Sequence, residues 1–456
     1  MRNVLRRACG SFRPSWTLAL AAAAALPLLG GGCSTPLGAA RRDFYAGRFE
    51  RADQALSNAP PAINKALYLM ERGTIRQARG AYPESARDYI AASDELARLQ
   101  TYSVSKGATS LVINDNVQDF SGVPYERTLL HAFTAHNHLA LADWDNAAVE
   151  ARRIITSLQP EHRGTYPEDA YSRYVAGFCL EMIDDDSNAA LQYSKASALA
   201  KRAAIEPATG RLTPKRAAAK PAVGKAETGQ MPPIPPVELP ASPPAGPPAV
   251  PPAEVPAELQ RGTNTAELVC FILAGRLPAP EADGYGYEAE LPVYAEIRYR
   301  GQRLGRSHIL ADTAELASLT AQKEALRKAA KTATRVVIKK VISHQVEQKN
   351  ESLGVLTWLL LLLLEQPDTR CWETLPRWLE VARVNCPADL KEFDVVFKTP
   401  AGTPVRTLHV TQPIQRRRNI LVAVCRDLAP AGGAPPSRVQ SQPIEFGGPY
   451  PPDRRP

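Results

Sequence analysis

Apolar residues in the first half of the chain recur with the spacing of one face of an α-helix. Pro124 suits a first helical position because it has no N–H to lose there. Leu130, Phe133 and Leu141 then fall on one helical stripe. The next helix has an inner stripe that includes small residues, which let two helices approach closely: Ala147, Ala151, Ile154 and Leu158. The pattern predicts a helical hairpin.

A short motif recurs along residues 37–205. It has a small residue, an aromatic residue two positions later, and another small residue three positions after that. The instances are Gly47, Phe49 and Ala52; Gly80, Tyr82 and Ser85; Ala142, Trp144 and Ala147; and a weaker fourth with Ser187 in the aromatic position and Ala190 after it. We predict tetratricopeptide-like hairpins over residues 33–203, with a generic helical bundle as the alternative. Stacked hairpins of this kind offer a concave surface suited to binding.

The second half of the chain changes to a period of two, which is typical of strands. The predicted strands are 268–275, 293–299, 392–398, 405–411 and 419–425. Short strands separated by turns predict a β-sandwich over residues 263–430. The expected fold class is therefore α+β and multidomain.

Residues 313–365 interrupt the strand pattern with a predicted helical hairpin. Its first helix spans 313–348, and its second, 352–364, is very apolar but too short to cross a bilayer. Two interpretations stay open: a core hairpin packed on the sandwich, or an apolar face that contacts a membrane or a partner.

Two further segments carry no hydrophobic period. Residues 204–262 are rich in proline and alanine and predict an extended, disordered spacer. Residues 431–456 predict a disordered tail.

The N-terminus resembles a bacterial lipoprotein signal. Residues 1–32 contain a basic, acid-free start and a short apolar core, and Cys33 follows three glycines. The resemblance implies cleavage and acylation at Cys33, with palmitate-type chains. Ser34, rather than an aspartate, implies sorting to the outer membrane on its periplasmic side. Ordinary signal-peptidase cleavage near this position is the alternative.

Charge and cysteine content exclude several classes of protein. The formal net charge of +8 is mild for 456 residues and argues against a nucleic-acid binder. The seven cysteines form no CxxC pair, which excludes a zinc ribbon or a thioredoxin motif. Disulfides are possible in an oxidising compartment, but the sequence leaves their pairing open.

The sequence offers little catalytic chemistry. His131, His136 and His138 lack the spacing that places two histidines on one metal, and no glycine-rich phosphate loop or GxSxG elbow is present. We therefore expect no enzyme activity, metal or cofactor. The candidate partner-binding patch is a set of polar residues near the predicted hairpin: Asn114, Asp115, Asn116, Glu126, Asn137, Glu150, Arg152 and Arg153. The alternative is an internal network that fixes helix packing.

Two blocks of polar residues resemble a known family. The first contains Asn114-Asp115-Asn116, Tyr125-Glu126, Asn137 and the run VEARR at 149–153. The second contains Asp368, Arg370 and Trp372, which we interpret as a structural or interaction turn, followed by Leu375 and Pro376. Together they resemble a family of uncharacterised bacterial lipoproteins with a tetratricopeptide-like N-terminal half, whose genes often lie beside those of activators of peptidoglycan synthases.

These observations predict an adaptor rather than a catalyst. We expect a lipid-anchored scaffold that binds a protein partner at the cell envelope, in a setting of peptidoglycan synthesis or envelope assembly. The alternative is a subunit of an export or surface-assembly system whose apolar hairpin contacts the membrane.

Overall fold

A computed structural model describes most of the two predicted halves. The described residues are 36–58, 60–105, 119–164, 166–215, 265–277, 294–323, 370–411 and 414–428. Several predictions fall outside them: the signal and Cys33, the Asn114–Asn116 loop, Asp368, most of the spacer and of the insertion, and the C-terminal tail. The described residues form a mixed α+β structure, as predicted at that level.

The first half is a succession of helical hairpins. The helices are α1 (Pro36–Tyr45), α2 (Phe49–Ala55), α3 (Lys65–Ala78), α4 (Tyr82–Ser105), α5 (Pro124–Ala140), α6 (Trp144–Ser157), α7 (Pro160–Arg163), α8 (Ala170–Glu181) and α9 (Asp186–Leu199). α1 packs against α2, α3 against α4, α5 against α6, and α8 against α9. Residues 313–323, the start of the predicted insertion, are also helical.

The four hairpins share one turn geometry. A residue two or three positions after the end of the first helix adopts a positive φ: 72° at Gly47, 82° at Gly80, 56° at Ala142 and 71° at Asp184. In each turn the next N–H reaches back to a carbonyl in the last turn of the first helix, for example from Asp143 to His138 at 2.8 Å. The predicted motif coincides with the first three turns. At the fourth turn it lies one residue too late, because Asp184 takes the left-handed position and Ala189 is the buried small residue.

Two hairpins use the same pair of residues for close helix approach. A Cβ atom at Gly73 would lie 2.4 Å from Cε1 of Tyr89, and one at Gly177 would lie 2.9 Å from Cδ1 of Tyr193. The tyrosine follows the glycine by the same number of residues in both hairpins, so the contact is a repeated feature of the array.

The described residues also form three sheets. Their strands are β1 (Ala203–Ile205), β2 (Leu212–Pro214), β3 (Thr265–Ala274), β4 (Tyr294–Tyr299), β5 (Gln302–Arg306), β6 (His308–Asp312), β7 (Trp378–Pro387), β8 (Phe393–Lys398), β9 (Pro404–Val410), β10 (Gln415–Arg417) and β11 (Ile420–Arg426). β1 and β2 form a hairpin. The larger sheets have the orders β10-β11-β3-β7-β6 and β5-β4-β8-β9. β3 and β11 are parallel, and the other paired strands are antiparallel.

The β1–β2 hairpin corrects the predicted start of the spacer. The predicted spacer includes residues 204–215, but Ile205 is buried and pairs with Leu212. Lys215 donates to the carbonyl of Ala200 at 2.6 Å and so closes the hairpin onto the end of α9. Residues 204–215 therefore belong to the folded part of the chain.

Strand β3 lies between two hydrophobic layers. Val269, Phe271 and Leu273 belong to the core that continues into the helices. The alternate residues, which include Cys270 and Ile272, belong to the core shared with the four-stranded sheet. Burial of both faces explains why β3 reads as a continuous apolar run.

Helices and sheet share one core. The ring of Phe271 lies against the rings of His136 on α5 and Tyr171, Tyr174 and Phe178 on α8, at centroid distances of 4.9–6.3 Å. The predicted helical and β regions are thus packed together directly. Among the described residues, no helix combines the length and apolarity needed to cross a membrane.

Candidate functional site

The structure's main internal junction is formed by residues 370–377, called here the Trp372 segment. Trp372 is fully buried, and its ring meets those of Tyr89 on α4 and Phe133 on α5 edge-on, at 5.8 and 5.5 Å. Its indole N–H donates to Oγ1 of Thr74 on α3 at 3.0 Å and lies 3.1 Å from Oγ1 of Thr374. Trp372 therefore anchors the segment on three helices at once.

Two buried carboxylates receive consecutive backbone N–H groups of this segment. Glu126 accepts from the N–H of Trp372 at 2.9 Å, and Glu71 accepts from the N–H of Glu373 at 2.9 Å. The second oxygen of Glu126 accepts from the N–H of Val123 at 3.0 Å and so caps α5. The two sequence blocks that carry the family resemblance are thus joined by a direct hydrogen bond.

One of the two buried carboxylates at the junction, Glu71, is paired with an arginine. Arg41 on α1 forms ion pairs of 2.6 Å with both Glu71 and Glu373. Burial raises the pKa of Glu71, and the positive charge of Arg41 opposes that rise. Burial raises the pKa of Glu126 to about 7, opposed by the hydrogen bonds from the N–H groups of Trp372 and Val123. A protonated Glu126 is therefore accessible near neutral pH.

Asn64 links the Trp372 segment to the residues just before α5. It has a positive φ of 60°, and its N–H donates to Oδ1 of Asp119 at 3.1 Å. Its side-chain oxygen accepts from the N–H of Phe120 at 3.2 Å and from the guanidinium of Arg370. The predicted interaction turn therefore has Arg370 and Trp372 in internal contacts.

The described residues of the predicted patch are not brought together on one surface. Glu126, Asn137 and Glu150 are buried, whereas Arg152 and Arg153 are exposed. The amide of Asn137 accepts from Gln77 at 2.8 Å and donates to Ser85 at 2.8 Å, which ties α5 to α3 and α4. The buried members of the patch therefore lie on the sides of α5 and α6 that face neighbouring helices rather than solvent.

Glu150 belongs to a separate ion-pair network. It lies 2.8 Å from Nδ1 of His131 and accepts from Arg153 at 2.7 Å. For the buried members of the patch, an internal network is the interpretation that fits the geometry. Arg152 is the member of the patch whose side chain stays exposed without a described ion pair or side-chain hydrogen bond.

The three histidines lie in separate environments. His138 lies 3.1 Å from Asp143, and His136 lies 3.2 Å from the hydroxyl of Tyr171. Burial lowers the pKa of His136 to about 3, so its ring is neutral. Within the described ranges, no group of three His, Cys, Asp or Glu side chains is placed to hold a metal ion.

A second junction escaped the sequence analysis. Arg383 on β7 forms 2.7 Å ion pairs with Glu181 on α8 and Glu267 on β3. Glu71 and Arg383 could have been flagged as charged residues within otherwise apolar runs. Their partners are distant in sequence, so no local spacing identifies them.

Comparison with known protein families, curated proteins and solved structures finds no match to this chain.

Proposed function

We propose that this protein is a lipid-anchored adaptor of the bacterial cell envelope that binds a protein partner on the outer side of its helical hairpins. One observation carries the proposal. The first helix of every hairpin contacts the C-terminal half: α1 and α3 through Arg41 and Glu71, α5 through Glu126, and α8 through the rings around Phe271. The sides of the first helices that face the C-terminal half are therefore occupied by the chain itself. Among the second helices, α4 also meets Trp372 through Tyr89, whereas α6 keeps an exposed side.

Our interpretation of the two halves, as tetratricopeptide-like hairpins and a β-sandwich, supports this proposal. We interpret the hairpins as tetratricopeptide-like because the contacts of Gly73 with Tyr89 and of Gly177 with Tyr193 recur at equal spacing. A small residue, Ser85 or Ala189, lies at the same place within each pair. We interpret the two larger sheets as a β-sandwich because their facing residues form one hydrophobic cluster. Two rigid layers joined by a shared core suit a scaffold.

The proposed binding surface is the exposed side of α6, called here the α6 outer face: Asp145, Val149, Arg152 and Thr156. Val149 is 41% exposed although it is apolar, and Arg152 follows it by about one helical turn. An apolar contact beside a cation suits a partner that carries an apolar residue next to a carboxylate. Among the described patch residues, Arg152 is also the one with an exposed side chain and no described ion pair.

Lipid anchoring at Cys33 and the setting in peptidoglycan synthesis or envelope assembly remain part of the proposal. The first rests on the signal-like N-terminus, and the second rests on the family resemblance alone. The buried positions of Glu126, Asn137 and Glu150 support a role without catalysis, because their polar atoms are used in internal hydrogen bonds and ion pairs.

Affinity capture of the full-length protein from native membranes tests the proposal. The double variant Val149→Glu, Arg152→Glu changes the α6 outer face, and Leu191→Glu, at another exposed helix position, is the matched control. We expect one co-purified protein to be lost with the double variant and kept with the control, while both variants retain the thermal midpoint of the wild type. Identical recovery with all three proteins would rule out this surface.

The same preparation tests the anchor. We expect Cys33→Ala to move the protein out of the membrane fraction, and the mature wild-type N-terminus to have the mass of an acylated cysteine. An N-terminus that still includes residues 1–32 would contradict lipid anchoring.

A further inference from the structure

Two cysteines meet inside the β part of the protein. Cys270 lies on β3 and Cys425 on the neighbouring parallel strand β11. Cys270 is paired in register with Ala423, so Cys425 lies diagonally across on the same face of the sheet. Their Sγ atoms are 3.4 Å apart, and both side chains belong to the core between the two larger sheets. The sulfur atoms are therefore in direct contact at a site from which solvent is excluded.

We propose that Cys270 and Cys425 form a disulfide bond in the exported protein. A disulfide has an S–S distance of about 2.05 Å and Cα atoms about 4.4–6.8 Å apart, so bonding draws the two strands closer at this point as well as rotating the two side chains. The other described cysteines lie on different elements: Cys179 on α8, Cys371 in the Trp372 segment and Cys386 on β7. The structure thus selects one pair where the sequence left the pairing open. The inference rests on the proposed export, because such bonds persist in oxidising compartments.

The reaction is a thiol–disulfide exchange with a protein disulfide as the oxidant. One cysteine thiolate attacks a sulfur of that disulfide, and the oxidant's other sulfur leaves as a thiolate. The second cysteine thiolate then attacks the mixed disulfide, and the oxidant's remaining sulfur leaves. Two electrons pass to the oxidant, and the two protons from the cysteines end on its thiols.

Burial determines when this exchange happens. Because the thiolate is the reacting form, the raised pKa that burial gives Cys270 makes the packed sheet a poor place for the reaction. The bond therefore forms during folding, before the four-stranded sheet covers the pair. Once covered, it resists exchange with dissolved thiols. It also links β3 to β11, whose separation in sequence is long, so the constraint on the unfolded chain is large.

Peptide mapping of the full-length protein tests the pairing. The protein is isolated from the cell envelope in denaturant with an alkylating reagent and is digested without reduction. We expect one cross-linked peptide pair that contains Cys270 and Cys425, lighter by two hydrogen atoms than the sum of the reduced peptides. Cys425→Ala removes this pair, whereas Cys386→Ala, a change at another buried strand cysteine, leaves it in place.

A second measurement compares two redox states of the wild-type protein. The wild-type protein is refolded with either oxidised or reduced glutathione, and its thermal midpoint is measured. We expect the reduced form to unfold roughly 5–10 °C lower, and a Cys270→Ala protein to show no such difference.

Two results would overturn the inference. One is quantitative alkylation of both Cys270 and Cys425 in a protein whose N-terminus has been processed, which would leave export intact but the disulfide absent. The other is a cross-link from either residue to a different cysteine. An unprocessed N-terminus would instead count against the proposed function, while refolding with oxidised glutathione still tests the pair.

Discussion

At the scale of single residues, the junction depends on residues that the sequence analysis interprets as candidates for binding a partner. Glu126 and Glu71 bind consecutive N–H groups of the Trp372 segment, and Trp372 fills the space among three helices. The sequence identified Glu126 and Trp372 as unusual, but their mutual hydrogen bond could not be predicted because they are far apart along the chain. The same distance concealed the role of Glu71.

Glu126 is expected to make stability depend on pH. Its pKa is about 7 in the folded protein against 4.5 for the free group. The folded state therefore holds the proton more tightly, so this contribution to stability is complete below pH 4.5 and is lost as the pH rises towards 7. Glu380, whose pKa burial raises to about 8, acts in the same direction.

Glu126→Gln removes one titrating group, so comparison with the wild type measures how much Glu126 contributes to the pH dependence of stability. The amide can still accept from the N–H of Trp372 but leaves the N–H of Val123 without its acceptor, at a cost of about 1 kcal/mol at pH 5. We expect the fall in the free energy of unfolding between pH 5 and 7, measured with urea, to be smaller than in the wild type. An equal fall in both proteins would show that Glu126 does not titrate in this range.

Trp372 is expected to contribute mainly through packing. Trp372→Ala leaves a cavity between Tyr89 and Phe133 and should lower the free energy of unfolding by about 3–5 kcal/mol. Trp372→Phe keeps most of the ring contact but loses the N–H bond to Thr74, so we expect a markedly smaller loss. Urea denaturation measures both. Equal losses would mean that the hydrogen bond, not the packing, anchors the segment.

At the scale of elements, periodicity predicted the hairpins and five strands because each of these has its own local pattern. β7 was missed because two charged residues, buried Glu380 and half-buried Arg383, interrupt its apolar residues, and β5 and β6 are short. The parallel pairing of β3 with β11 was also missed, since no turn joins the two strands. At the fourth hairpin an aspartate takes the place that glycine has in the first two, so the turn was misplaced by one residue.

The shared turn geometry predicts a stabilising substitution. Ala142 has a φ of 56°, at the position that glycine occupies in the turns at Gly47 and Gly80. Because the left-handed conformation penalises a side chain, Ala142→Gly should raise the free energy of unfolding by about 1 kcal/mol. Ala198→Gly, at an exposed helical position on α9, is the control and should lower it by about as much. Destabilisation by Ala142→Gly would contradict the turn geometry.

At the scale of the whole molecule, the C-terminal half completes the helical array. The Trp372 segment packs on α3, α4 and α5, β3 packs on α5 and α8, and Arg383 joins α8 to the sheet. Composition predicted a spacer between the two halves, but it carries no information on how they pack. Their relative position follows from buried contacts between distant residues, which a sequence pattern does not contain.

The most direct test of this account is cleavage between the two halves. A protease site is inserted in the proline-rich stretch at residues 231–256 of the full-length protein, and the cleaved protein is analysed by size-exclusion chromatography. We expect the two fragments to elute together and to separate only in denaturant, because they share one core. The double variant Trp372→Ala, Arg383→Ala should weaken this association. Separate elution of the wild-type fragments under native conditions would contradict the account.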